Sequence, residues 1–133
     1  MLSAAAAMIA MRAKKSTGGG GGDVTPNAVD WDDVAAPGGS TNTVTITGIN
    51  TAINLSISYT GYGVGAFDVY KNGTGFSLTG DNPYTLSVSN NDQIYFYAAS
   101  AEVQSISVTV TNASDGDTVL DTFTINVGEE GGG

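Results

Sequence analysis

Between Val103 and Val127 the chain reads VQSISVTVTNASDGDTVLDTFTINV, and this stretch constrains the fold more than any other. Ile106, Val108 and Val110 alternate with Ser105, Ser107, Thr109 and Thr111. After a polar connector, Phe123, Ile125 and Val127 alternate with Thr122, Thr124 and Asn126. Side chains on a strand point to opposite faces with a period of two, so each half presents one apolar and one hydroxyl-rich face. The connector, Asn112 to Thr118, is built of turn formers. A hairpin with one apolar face needs a second sheet to cover it, and the upstream sequence supplies one.

Thr43 to Ile49 alternates through Val44 and Ile46, and Ile53, Leu55, Ile57 and Tyr59 are in phase beyond a turn at Asn50–Thr51. A Gly-rich loop, Thr60 to Gly65, leads to Phe67 and Val69 on one face, with Ala66, Asp68 and Tyr70 opposite. Asn72-Gly73 is the strongest short-range hairpin signal, a type I′ turn, with Phe76 and Leu78 on the return strand. Tyr84, Leu86 and Val88 alternate after the turn at Gly80–Pro83. Beyond Ser89–Asp92, Ile94, Phe96 and Ala98 face inward while Tyr95 and Tyr97 face outward. A short first strand is expected around Ala28–Trp31, with the sole tryptophan plugging the core or an inter-sheet edge in preference to binding a ligand, and Ala35–Asn42 is expected to be a loop. The result is seven to eight alternating strands at spacings near ten residues, the signature of an antiparallel sandwich. Strands this cleanly alternating are half exposed, which fits antiparallel pairing.

The chain of 133 residues accommodates one such domain with a short appendage. It has neither cysteine nor histidine, which removes disulfides, thiolate metal sites and the commonest general base. The formal net charge is −9, and its distribution is lopsided. Arg12, Lys14 and Lys15 precede every acidic residue. From Asp23 onward 13 acids face the single Lys71, a net of 1 − 13 = −12. Such a body repels nucleic-acid phosphates and anionic membranes, so the folded part is not expected to bind nucleic acid.

Residues 1–17, MLSAAAAMIAMRAKKST, are rich in helix-forming Ala and Met and end in cations that suit a helix C-terminus. They are expected to be a docking helix or arm, with Met8, Ile9, Met11, Arg12, Lys14 and Lys15 as its assembly contacts. Three rival readings are an interfacial membrane anchor, a signal peptide and disorder. Against a signal, the positive charge follows the apolar run; against a membrane span, the run is shorter than about 20 apolar residues. Gly18–Gly22 lacks the Gly-Lys-Ser/Thr ending of a phosphate loop and reads as a linker. The expected organisation is arm 1–17, linker 18–22, sandwich 23–127 and a flexible glycine-rich tail 128–133.

PNAVDWDDV, NTVTITGINTAINLSISYTG, VYKNGTGF, NNDQIYFYA and VTVTNASDGDTVLDTFTINV together resemble the small immunoglobulin-like modules of tailed-bacteriophage virion proteins. Such modules occur in capsid decoration, tail and fibre proteins. The resemblance spans roughly residues 25–127, rests on strand and turn wording, and carries no functional residue across. It implies an immunoglobulin-like sandwich without enzymatic activity or cofactor. It also implies display in many copies on a virion assembled in a bacterial cytoplasm, other virion subunits as partners, and weak adhesion to host surfaces or glycans. The hairpin at Val103–Val127 would be the closing pair of that sandwich.

Candidate sites in the body are few. Asn112–Asp117, NASDGD, has oxygens around a glycine but lacks the spaced series ending in Glu of a calcium loop, so a plain turn is expected. Asp30, Asp32 and Asp33 lack any sign of a pocket that would raise one pKa, and solvated loop acids are expected. No catalytic set is found; a Ser–Lys pair would have to use Lys71, beside a hairpin turn. Tyr70, Tyr95 and Tyr97 remain as an outward aromatic group, open to three readings: partial cover by a neighbouring loop, contact with a neighbouring subunit, or a glycan platform.

Overall fold

The computed structural model describes residues 24–128; the expected arm and linker, with Met8, Ile9, Met11, Arg12, Lys14 and Lys15, and residues 129–133 lie outside the described residues. The described chain is all-β. Its strands are β1 (Gly38–Ser40), β2 (Val44–Thr45), β3 (Ile53–Thr60), β4 (Ala66–Lys71), β5 (Thr74–Ser77), β6 (Tyr84–Val88), β7 (Gln93–Ala99), β8 (Gln104–Asn112) and β9 (Thr118–Val127). Seven of these have four or more residues; the strand expected over Thr43–Ile49 is reduced to β2, because Ile46 and Thr47 bond the Asn91–Asp92 turn and Asn27 instead of continuing the ladder, and β1 is a short addition.

Two antiparallel sheets face each other. One runs β6-β3-β8-β9; the other runs β1-β7-β4-β5, with β2 also pairing β7. Inward residues of both meet in one core that includes Leu55, Ile57, Phe67, Val69, Phe96, Val110 and Ile125, all fully buried. Asn72-Gly73 does join β4 to β5, with φ of 54° and 87°, the two positive angles that a type I′ turn requires.

The strand order has an immunoglobulin-like kernel with exchanged flanks. In the immunoglobulin arrangement the sheets read A-B-E-D and C-F-G. Here β3 and β6 stand as B and E, and β4 and β7 as C and F. β8 stands beside β3 in the place of A, and β1 and β2 stand beside β7 in the place of G. The Val103–Val127 hairpin therefore closes the sheet that contains β3, not the one that contains β7.

The segment before β1 corrects the sequence reading. Residues 28–31 are not a strand, although Val29 and Trp31 are buried and the flanking Ala28 is exposed, which imitates strand alternation. The backbone bonds of this segment go elsewhere. Asn27 N–H donates to Thr47 O at 2.8 Å, and Trp31 N–H donates to Asp121 Oδ2 at 2.6 Å. Asp32 N–H donates to Asn42 Oδ1 at 2.7 Å. Val34 then pairs in parallel with Ile125, bonding Thr124 and Asn126. Residues 24–34 are thus a strap across the side of the sandwich, pinned to β9 on one sheet and, through Trp31 Nε1 to Ile94 O at 3.0 Å, to β7 on the other. The loop expected at Ala35–Asn42 contains β1, because Gly38 lies so near β7 that a Cβ there would be 2.7 Å from Ala98 O. At the far end Gly128 is buried and donates to Pro37 O at 3.0 Å, so the body includes it.

Candidate functional site

The outward tyrosines share one face. Antiparallel register sets Tyr70 of β4 opposite Tyr95 of β7, and Asp68 opposite Tyr97. Directly opposed residues lie about 4.5–5.5 Å apart at Cβ, close enough for rings to meet. The Tyr70 and Tyr95 rings stack with centroids 4.7 Å apart and planes 5° from parallel. Two residues along β7, Tyr97 lies in the next row, between Asp68 and Ser40 of β1. All three tyrosines are half-buried.

Tyr70 is also seated against β5. Gly75 pairs with it, and a Cβ at Gly75 would come within 2.8 Å of Tyr70 Cε2. The Asn72-Gly73 turn carries the signal for this contact, since a two-residue turn there forces 71 opposite 74 and 70 opposite 75. Sequence reasoning did not single out Gly75, nor Asp68, the one charged residue in the Tyr97 row. Chemically, the face offers phenol hydroxyls, ring edges and one carboxylate. Each ring of the stacked pair already gives one face to its neighbour.

The other candidates make local contacts. Asn112 caps a short 3-10 turn, Ala113–Asp115, its Oδ1 accepting from Ser114 N–H at 3.0 Å. Asp115 O accepts from Thr118 Oγ1, and Asp115 Oδ2 accepts from Thr25 Oγ1. These oxygens serve the turn, and among the described residues no group of three His, Cys, Asp or Glu is placed to hold a metal. Asp32 and Asp33 are exposed, and Asp33 Oδ1 accepts from Thr124 N–H at 2.9 Å, tying the strap to β9. Lys71 Nζ donates to the backbone carbonyl of Ser87 at 2.8 Å.

Two clusters went unnoticed in the sequence. Asp121 is fully buried and holds the strap through Trp31; its signal was an acid in phase with inward Phe123 and Ile125. Tyr59, Tyr62 and Phe67 form an aromatic group near the Gly-rich loop, with Tyr59 Oη donating to Leu78 O at 2.6 Å. Burial, then the proximity of Tyr62 and Asp81, raises the Tyr59 pKa above the ordinary phenol value. No described helix is long and apolar enough to cross a membrane. Comparison with protein families, curated proteins and solved structures finds no match to this chain.

Proposed function

We propose that this chain is a non-enzymatic structural or decoration protein of a tailed-bacteriophage virion. Its basic, Ala-rich residues 1–17 hold it to other virion subunits, and the acidic sandwich is displayed in many copies. The observation that carries this reading is the charge split, with three cations and no acid before residue 23 and a net of −12 (1 − 13) from Asp23 onward.

The geometry of the body supports it. Val24 lies at the pole of the Asn112 turn, where its carbonyl accepts from Asn112 Nδ2 at 2.6 Å. Gly128 lies at the opposite pole, beside Glu102 and Val103. The nine residues of β8 run from one pole to the other, a span of roughly 27–30 Å. A body anchored through residues ahead of Val24 therefore turns its Asn112 pole toward the particle. Its Tyr62–Val64 and Glu102–Val103 loops then face outward. The decisive experiment deletes residues 1–17 and measures incorporation into particles; undiminished incorporation would sink the docking role.

A second reading, a glycan-binding or host-adhesion module, draws on one observation, the placement of Tyr70, Tyr95 and Tyr97 on a single face. A glycan array probed with the parent and with the triple variant Tyr70→Ala, Tyr95→Ala, Tyr97→Ala tests it. Binding that survives in the variant rules this platform out.

A further inference from the structure

The two open sides of the sandwich are closed by unequal means. On one side, the strap of residues 24–34 covers the gap between β9 and β7. On the other side, β6 is the edge of one sheet and β5 the edge of the other. A sheet edge displays backbone donors and acceptors that template another strand.

The hydrogen-bond parity of β6 can be read from its partner. Asn54 lies opposite Ser87, yet its N–H donates to Ser114 Oγ at 3.0 Å, on the β8 side. Tyr59, an odd-numbered residue of β3, turns its N–H and C=O toward the β6 side, where both bond the side chain of Asn82 at 3.2 and 2.7 Å. Since parity alternates along a strand, odd residues of β3 bond β6, and Thr85 and Ser87 turn their N–H and C=O away from β3. Into this edge reaches Lys71, from the inward phase of β4 in the opposite sheet, and its ammonium occupies the Ser87 carbonyl. Lys71 is the only cation between Val24 and Gly128.

We infer that Lys71 is the guard of a latent strand-addition site on β6, and that the strand it excludes is β6 of a second copy of this chain. Self-pairing is geometrically closed. A two-fold axis at Leu86 places Thr85 opposite Ser87 of the second copy and Ser87 opposite its Thr85, so all outward groups of both strands are matched. The strand YTLSV carries no charge, and the outward side chains Thr85 and Ser87 are small and exposed, so nothing on the strand itself opposes the pairing. Lys71 opposes it twice. It fills the acceptor that the second strand needs, and it would bring two ammonium groups together at the axis. A chain displayed in many copies needs such a guard, but the inference stands on the edge geometry whether or not the chain belongs to a virion.

The test is sedimentation equilibrium of the full chain from micromolar to millimolar concentration. Lys71→Met keeps the aliphatic stem and removes the ammonium; its weight-average mass is expected to rise twofold over the parent. Lys71→Arg is expected to keep the parent's mass. Adding Thr85→Pro to Lys71→Met removes an outward N–H without touching the β3 ladder, a position where an edge strand tolerates proline, and is expected to restore the parent's mass. If Lys71→Met does not fold by circular dichroism, Lys71→Gln takes its place with the same expected outcomes. A parental mass for the uncharged variant overturns the inference, and so does a dimer that Thr85→Pro leaves intact.

Discussion

Asp121 is the residue on which the strap depends most directly. It is fully buried, and its carboxylate accepts the Trp31 backbone N–H at 2.6 Å. Removing a buried acceptor leaves its donor desolvated and unpaired, which costs about 1–3 kcal/mol. Asp121→Ala is therefore expected to lower unfolding stability by about 2–3 kcal/mol in urea titration, and Asp121→Asn, which keeps an acceptor oxygen, by less. Equal losses in both would show that the hydrogen bond is not what matters. Tyr59 makes a second residue-scale prediction, this one about pH. Its raised pKa means that the folded state binds the phenol proton more tightly than the unfolded chain does. The associated stability is complete below the ordinary phenol value of about 10 and is lost as pH climbs through the folded value. Tyr59→Phe also loses the bond to Leu78 O, so it should cost about 1 kcal/mol at neutral pH and flatten the alkaline limb of the melting profile. An unchanged alkaline limb would assign that limb to other groups.

At the scale of elements, the strap shows how a segment without a strand ladder can be as necessary as any strand. Trp31 is fully buried, with its ring 5.2 Å from Phe96 and 5.9 Å from Phe123, so it joins both sheets in one aromatic cluster. Trp31→Ala is expected to cost about 3–5 kcal/mol, read as a shifted denaturant midpoint with little change in slope. A loss below about 1 kcal/mol would mean that the site collapses around the cavity. The strap also marks where sequence reading stops. Alternation located β3, β4, β6, β7, β8 and β9, because each buries one face and a one-residue slip would expose it. The same alternation misled at Ala28–Trp31, where Val29 and Trp31 do point inward but the backbone bonds side chains in place of a neighbouring strand. β1 was hidden for the opposite reason. Gly38-Gly39 reads as loop, yet the chain needs glycine at Gly38 to pass close to Ala98 O. For the candidate face, the tyrosines were legible from phase alone. Their stacking was not, because it depends on the β4–β7 register, which a long connection sets and no turn signal announces.

For the whole molecule, the placement of charge decides more than its total. Of the residues from Val24 to Gly128, ten are acids and one is a cation, and that cation is bound to a carbonyl oxygen. The sandwich is thus a body of predominantly one sign, crossed on one side by the strap, with Val24 and Gly128 at opposite poles. Net charge of one sign keeps copies apart and soluble, and the same repulsion acts within the fold against compactness. Salt should therefore stabilise this protein. Raising ionic strength from about 0.01 M to about 1 M shortens the screening length from about 30 Å to about 3 Å, which removes repulsion between acids on different loops. A gain of about 0.5–1 kcal/mol corresponds to a Tm increase of roughly 2–5 °C for a domain near this size. Calorimetry across that range in sodium chloride measures it. A Tm that stays level or falls would mean that the acids are already compensated by attractive pairs, and the picture of a self-repelling body would lose its physical basis.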